Sequence, residues 1–188
     1  MKRQIASFLL WLSGWKLIGK PEPQMQKCVF IEAPHTSNWD FVWGCLGLWK
    51  LKVKPNFLIK KELFVFPLGG ILKALGGMPV DRGRSSNMVD QVVEIFNQKD
   101  RFSLVITPEG TRKLSPHWKK GFYYIATKAN VPIYLAYLNY DKKEGGAGKI
   151  FYPTGDYEKD MMEIEEFYKD KIAKFPKNFN LSKENRNK

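Results

Sequence analysis

Apolar positions along the chain follow two periods, one typical of buried strands and one typical of helices. Short apolar runs predict strands at 27–33, 55–60, 78–81, 102–107, 131–140 and 149–153. Apolar residues at helical spacing predict helices at 38–51, 68–77, 87–98, around 121–129 and at 157–174. Strands that alternate with helices of this length indicate one α/β domain with a largely parallel central sheet flanked by helices.

The N-terminal segment QIASFLLWLSGW, residues 4–15, is uncharged and shorter than the roughly 20 apolar residues that span a membrane. A secretory signal is the least favoured interpretation, because no small-residue cleavage site follows. A buried core helix is a second interpretation. We favour an interfacial helix, because Trp11 and Trp15 lie one turn apart and Lys2 and Lys16 flank the segment. The expected organisation is an interfacial helix at 1–20, the main domain at 21–175 and a basic tail at 176–188.

Net charge indicates which partners the chain binds, and cysteine content indicates the compartment in which it works. The formal net charge is +12, which favours polyanions such as nucleic acid, an anionic membrane surface or a phosphorylated substrate. Cys28 and Cys45 are too few for a disulfide scaffold, and with only two histidines a zinc site is not expected. A reducing compartment therefore fits the chain best.

The loop after the first predicted strand contains HTSNWD, in which His35 precedes Asp40 by five residues. One interpretation is catalytic, with Asp40 orienting His35 as a base. The other is structural, because residues 37–40 also fit a capping box at the start of a helix. The spacing alone does not decide between them.

Two further loops follow predicted strands and carry charge. TPEGTRK begins at Thr107 and places Glu109 and Arg112 after the strand 102–107. In GGMPVDRGR, the predicted strand 78–81 ends in Asp81 and is followed by Arg82. Read singly, these are a glycine turn and a surface ion pair. Together they predict an acid, a base and several cations at the strand ends, where α/β sheets bind ligands.

These segments resemble the four ordered blocks of the lysophospholipid and glycerolphosphate acyltransferases, whose best-known members are the 1-acylglycerol-3-phosphate acyltransferases. HTSNWD has the family's H-x4-D pattern, GGMPVDR resembles its second block, PEGTR its third and VPI at 131–133 its fourth. The resemblance covers about residues 27–140. The chain departs from the family pattern at Pro79, Thr107 and Lys113. In the family, the second and third blocks line the pocket for the acceptor headgroup, so these departures bear on which headgroup is bound.

The resemblance implies transfer of a fatty acyl chain from a thioester donor directly to the free hydroxyl of a lysolipid. His35 would be the general base and Asp40 would fix its tautomer. The residues expected to bind substrate are Lys60, Arg82, Glu109, Gly110, Thr111 and Arg112. Backbone N–H groups near Asn38 or in the Gly110 turn are the candidates for stabilising the oxyanion.

The favoured acceptor is 1-acylglycerol-3-phosphate, which would give phosphatidic acid, and the donor is acyl-CoA or an acyl carrier protein, with no cofactor. The expected location is peripheral, on the cytoplasmic face of an anionic membrane. Alternatives are another lysolipid acceptor, a thioester hydrolase and a basic nucleic-acid-binding module. The last rests on KGFYYIAT, 120–127, which partly matches an RNA-recognition signature, although its helical apolar spacing would bury the aromatic residues.

Overall fold

The computed structural model describes residues 2–80 and 85–181 of the chain. Its α-helices are α1 (Lys2–Ser13), α2 (Asn38–Lys50), α3 (Leu68–Ala74), α4 (Ser85–Gln98), α5 (Gly121–Lys128) and α6 (Tyr157–Tyr168). Its strands are β1 (Lys16–Ile18), β2 (Lys27–Ala33), β3 (Pro55–Lys60), β4 (Gly77–Val80), β5 (Phe102–Ile106), β6 (Ile133–Asn139) and β7 (Glu144–Phe151).

All seven strands form one sheet in the order β1-β7-β6-β2-β5-β3-β4. Every neighbouring pair is parallel except β6 and β7, which are antiparallel. The single α/β domain with a largely parallel sheet is therefore confirmed. β2 lies between β5 and β6, so the loops that follow these three strands meet at one edge of the sheet.

Helices cover both faces of the sheet, and the alternation of side chains along β2 supplies both cores. Val29 and Ile31 belong to the core on the face covered by α4, α5 and α6. Cys28 and Phe30 point the other way and pack with Leu48 of α2. Because β2 is apolar on both faces, its near-continuous apolar run is what a central parallel strand requires.

The two outermost strands on one side of the sheet, β7 and β1, differ from the sequence prediction. β7 begins at Glu144 rather than at residue 149, and β1 was not predicted. The start of β7 reads EGGAG, and glycine has low strand propensity, so the pattern conceals the strand. A side chain on Gly146, which has a φ of +155°, would meet the backbone carbonyl of Ile18 directly, so glycine is needed for β1 to pair there.

The last helix is shorter than predicted, because α6 ends at Tyr168 and not at residue 174. The chain after it makes contacts at the end of the sheet instead: the N–H of Tyr140 donates to the carbonyl of Ile172 at 2.9 Å. Residues 176–181, which the sequence analysis assigned to the tail, pack on the domain, since the indole of Trp118 donates to the carbonyl of Asn180 at 3.2 Å. The remainder of the predicted tail, 182–188, lies outside the described residues.

Helix α1 has one buried face and one exposed apolar face. Ala6 and Leu10 are buried against α2 and the sheet edge, as in a core helix. A second apolar stripe remains exposed and comprises Ile5, Phe8, Leu9, Trp11 and Leu12. No helix within residues 2–80 and 85–181 is long and apolar enough to cross a membrane.

The segment that suggested RNA binding forms α5 and points into the core. Phe122, Tyr123, Ile125 and Ala126 are all buried. Buried aromatic rings cannot stack on bases, so this segment gives no support to the nucleic-acid interpretation.

Candidate active site

The loop between β2 and α2 is folded around the Asp40 carboxylate. Oδ2 of Asp40 accepts hydrogen bonds from the N–H groups of Thr36 and Ser37, both at 2.7 Å. The Ser37 hydroxyl in turn accepts from the N–H of Trp39 at 3.1 Å. The capping box considered as the structural interpretation is therefore present.

The same carboxylate also faces the histidine. Nδ1 of His35 lies 3.5 Å from Oδ2 of Asp40, whose side chain is completely buried. The His35 side chain retains 18% exposure, and because Nδ1 itself is buried, the exposed part of the ring lies away from Asp40. Among the described residues Nδ1 of His35 has no hydrogen-bond partner, so its contact with Oδ2, which already accepts from the two capping N–H groups, is a close electrostatic approach and not a hydrogen bond.

The surroundings of His35 favour the uncharged imidazole. Burial is the largest influence and lowers the pKa of His35 below its ordinary value of 6.5; the nearby Asp40 opposes this, and the positive charge of Arg112 adds to it. A histidine that is neutral at neutral pH can accept a proton without first losing one. The exposed edge of the ring is therefore suited to general-base chemistry.

Glu109, after β5, lies against the histidine loop rather than in solvent. Its Oε1 accepts from the backbone N–H of His35 at 2.8 Å, and its Oε2 is buried with no hydrogen-bond partner in the described part of the chain. Burial raises the pKa of Glu109 to about 8, with a smaller contribution from Asp40, so this carboxyl is largely protonated at pH 7. The glutamate of the EGTR block thus fixes the position of the His35 backbone.

Tyr140, directly after β6, completes the group and was missed by the sequence analysis. Its hydroxyl donates to Oδ1 of Asp40 at 2.5 Å, and burial raises the pKa of this phenol above its usual range. The available signal was positional: Tyr140 is the last residue of a predicted strand, at the edge of the sheet that carries the other loops.

The other predicted binding residues are distributed along the same edge. Arg112 and Thr111 are exposed on the loop after β5, and Arg112 is close enough to His35 to influence its pKa. Lys60 is exposed at the end of β3, two strands away from β2. Arg82 lies outside the described residues.

Gly110 has a φ of +66°, a conformation that favours glycine. A Cβ at this position would lie 2.6 Å from Cε of Lys119, so the neighbour at this glycine is a lysine side chain that the sequence analysis did not single out. The N–H of Gly110 donates to the carbonyl of Thr107 at 3.0 Å. In this structure the Gly110 N–H is therefore already paired, and the expectation for the other N–H groups of the Gly110 turn stays a prediction.

An aromatic groove of about 250 Å³ opens beside the Asp40 and Tyr140 pair. The rings of Trp39 and Trp43 stack at 5.7 Å, and those of Trp43 and Trp15 at 5.4 Å. Nζ of Lys174 lies 5.4 Å from the centre of the Trp39 ring. The walls of the groove are therefore aromatic, and Lys143 and Lys174 add positive charge to its lining.

Neither cysteine is suited to act as a nucleophile. Burial raises the pKa of the Cys28 thiol well above its usual value, and burial together with Glu32 raises the pKa of Cys45 to about 12. A nucleophilic cysteine needs a lowered pKa and access to substrate. Among residues 2–80 and 85–181, no group of three or more His, Cys, Asp or Glu side chains is arranged to hold a metal ion.

Comparison with known proteins places the chain in a family. The fold matches the crystal structure of the 1-acyl-sn-glycerophosphate acyltransferase from Thermotoga maritima with a TM-score of 0.62 and 16% sequence identity, over 92% of this chain and 80% of that one. No curated protein matches the sequence significantly. The sequence model of the acyltransferase family matches residues 19–138, which include His35, Asp40 and the PEGTR segment. The chain therefore belongs to the acyltransferase family and is an acyltransferase.

Proposed function

We propose that this acyltransferase moves a fatty acyl chain from a thioester donor to the free hydroxyl of a lysolipid, with His35 as general base. The observation that carries the proposal is the His35 to Asp40 contact, 3.5 Å between Nδ1 and Oδ2, with the other edge of a neutral imidazole exposed. An alcohol has a high pKa and attacks a thioester effectively only if a base removes its proton during attack.

Transfer proceeds in a single covalent exchange. The acceptor oxygen attacks the thioester carbonyl carbon while Nε2 of His35 takes the hydroxyl proton. The tetrahedral intermediate then collapses, the carbon–sulfur bond breaks, and the imidazolium returns the proton to the departing thiolate. Asp40 stabilises the imidazolium and holds Nδ1 in place, as the carboxylate does in hydrolase triads. The sequence contains no G-x-S-x-G segment, and both thiols are buried with raised pKa values. Neither a nucleophilic serine motif nor a reactive cysteine is therefore at hand to form an acyl-enzyme, and the proposed transfer is direct.

The proposed acceptor is 1-acylglycerol-3-phosphate, with phosphatidic acid as product. Arg112, Lys119 and Lys60 supply positive charge at the edge that carries His35, and Arg112 is able to bind a phosphate in a bidentate manner. The structure of similar fold is titled a 1-acyl-sn-glycerophosphate acyltransferase, and an acceptor with a phosphate group agrees with the positive charge of these side chains. Acyl-CoA and acyl carrier protein remain the two proposed donors.

The protein is proposed to bind the surface of an anionic membrane on its cytoplasmic face. Trp11 of α1 is 74% exposed, and Lys2 and Arg3 are at the start of the same helix. A second apolar segment, Leu63–Ile71, includes Phe66 at 99% exposure and lies between lysines. Exposed apolar side chains next to cations suit the interface of an anionic bilayer, where a lysolipid acceptor also resides.

The function is tested with purified protein on anionic vesicles, labelled acyl-CoA or acyl carrier protein, and a panel of lysolipids that differ in headgroup. Both labelled product and free fatty acid are measured. The proposal expects the label in phosphatidic acid when 1-acylglycerol-3-phosphate is present. Label in another phospholipid would show that the acceptor is a different lysolipid. Free fatty acid as the only labelled product would show that water replaces the acceptor and that the chain is a hydrolase.

A further inference from the structure

The aromatic groove beside Asp40 and Tyr140 has no part in the transfer described above. Its volume is about 250 Å³, which is about eight times the roughly 30 Å³ that one water molecule occupies in the liquid. The groove therefore has room for a polar headgroup but not for the acyl chains of a lipid. The side chains that line it are Trp15, Trp39, Trp43, Tyr140, Lys143 and Lys174.

Two ammonium groups contribute to this lining without a carboxylate partner. Within residues 2–80 and 85–181, neither Lys143 nor Lys174 forms an ion pair. Nζ of Lys174 lies 5.4 Å from the centre of the Trp39 ring and 6.0 Å from that of Tyr140, so its neighbours are aromatic rings. Two cations beside apolar walls favour an anionic group that is carried on an apolar molecule.

Lys143 also connects the groove to helix α1. It lies in the turn between β6 and β7 with a φ of +47°, a conformation that glycine and asparagine adopt more readily than lysine. Its Nζ is 4.0 Å from the position that a Cβ on Gly14 would take, directly after α1. Trp11 and Leu12, at the same end of α1, belong to the exposed apolar stripe. The groove therefore adjoins the proposed membrane contact.

The groove lies on the side of Asp40 that faces away from the proposed base. Tyr140, which lines the groove, donates to Oδ1 of Asp40, whereas His35 faces Oδ2. His35 is not among the described residues that line the groove. A ligand in the groove is therefore separated from the reacting edge of His35 by Tyr140 and Asp40. This position suits a lipid that is bound but not acylated.

We propose that the groove binds the phosphate headgroup of phosphatidic acid in the membrane, at a site distinct from that of the acceptor. A phosphate monoester carries a charge of about −1.5 to −2 at pH 7, which the two lysines complement. Tryptophan rings suit the headgroup region of a bilayer, and the acyl chains of the bound lipid stay in the bilayer beside α1. The inference rests on the membrane-binding part of the proposed function and not on acyl transfer. It means that the enzyme is retained on membranes that contain its proposed product.

Vesicle binding tests the proposal. Full-length protein is sedimented with phosphatidylcholine vesicles that contain either phosphatidic acid or phosphatidylglycerol, at mole fractions that give both the same surface charge. General attraction between a basic protein and an anionic surface is then equal for the two. Wild type is expected to bind the phosphatidic acid vesicles about fivefold to thirtyfold more tightly, as roughly 1 kcal/mol for each lysine implies.

The variant Lys143→Gln with Lys174→Gln is expected to bind both kinds of vesicle equally. Its matched control is Lys54→Gln with Lys99→Gln, which removes the same charge from exposed positions just before β3 and β5, at the opposite end of the sheet. The control should keep the preference for phosphatidic acid. Equal binding of wild type to both vesicles, or an unchanged preference in the Lys143 and Lys174 variant, would overturn the proposal.

Glycerol 3-phosphate in solution tests the other source of a phosphate monoester. At a concentration equal to that of the accessible phosphatidic acid, it should not displace wild type from the vesicles, because the proposed ligand is the membrane lipid. Displacement at that concentration would show that the groove takes a free phosphate compound and would overturn the proposal.

Two comparisons separate this site from the rest of the account. Trp11→Ser with Leu12→Ser should weaken binding to both kinds of vesicle alike and keep the preference, because it changes α1 and not the groove. Binding requires no acyl donor. A preference that depends on the two lysines, in a protein that transfers no acyl chain, would support the site and contradict the proposed function; transfer without any preference would support the function and overturn the site.

Discussion

The Tyr140 hydroxyl donates to Oδ1 of Asp40 at 2.5 Å, while Oδ2 of the same carboxylate lies 3.5 Å from Nδ1 of His35. The two oxygens of Asp40 thus have different partners: Oδ1 accepts from Tyr140 after β6, and Oδ2 accepts from the N–H groups of its own loop and faces the histidine. The orientation of the proposed base depends on three loops or strand ends, since Glu109 also bonds the His35 backbone.

Tyr140→Phe removes one hydrogen bond to Asp40 and keeps the ring packed edge-on against Trp15. We expect kcat to fall about tenfold to a hundredfold with little change in KM, because a charge-assisted hydrogen bond is lost but no substrate contact is. Steady-state kinetics on vesicles measures both constants. Tyr134→Phe is the matched control on β6, the strand that ends just before Tyr140, since the Tyr134 hydroxyl donates to Glu22 at 2.6 Å, and it should leave kcat near the wild-type value.

Asp40→Asn separates the capping role from the orienting role. Asparagine accepts hydrogen bonds from the Thr36 and Ser37 N–H groups as aspartate does, so unfolding in denaturant should show a loss of stability within about 1 kcal/mol. The charge that stabilises the imidazolium disappears, and transfer should fall roughly a hundredfold or more. Retention of wild-type transfer would show that Asp40 only caps α2.

The pH dependence of transfer should report the ionisation of His35. Because the base must be uncharged and burial lowers its pKa below 6.5, kcat/KM should fall as the pH is lowered, with the midpoint of that acidic limb below pH 6.5. Asp40 raises this pKa, so the acidic limb should move to still lower pH in Asp40→Asn. An acidic limb centred above pH 6.5 would be inconsistent with the assignment of His35.

Membrane binding should depend on the exposed stripe of α1. Trp11→Ser combined with Leu12→Ser removes two exposed apolar side chains without touching the buried Ala6 and Leu10, so the fold should be kept and binding weakened about tenfold or more. Sedimentation with anionic vesicles measures the bound fraction. The control is Met162→Ser, which changes a half-exposed apolar residue on α6 and should bind as wild type does. If the α1 variant binds as much as wild type, α1 is excluded as the membrane contact.

The central strands of the sheet and the helices between them could be predicted from the sequence, because the signals for these elements are local. The run 27–33 and the cap-type residues after it specify β2 and the start of α2 with little help from the rest of the chain. The glycine-rich start of β7 and the three-residue β1 have no such signal, because they form only through pairing with each other and with β6.

The candidate site was predictable where a motif coincides with a strand end. His35, Asp40 and Glu109 are brought together as that pattern implies. Tyr140 was not found, because its importance follows from a tertiary contact: its hydroxyl reaches Asp40 from the end of another strand.

The central claim is that His35 is the base for acyl transfer, and the chain contains only one other histidine. The most direct test is therefore the initial rate of transfer to 1-acylglycerol-3-phosphate by wild type, His35→Ala and His117→Ala, since His117 is exposed on the loop after β5. We predict that His35→Ala loses roughly 10²- to 10⁴-fold in rate, with its thermal unfolding transition intact, and that His117→Ala keeps the wild-type rate. A folded His35→Ala protein that transfers acyl chains as fast as wild type would contradict the account.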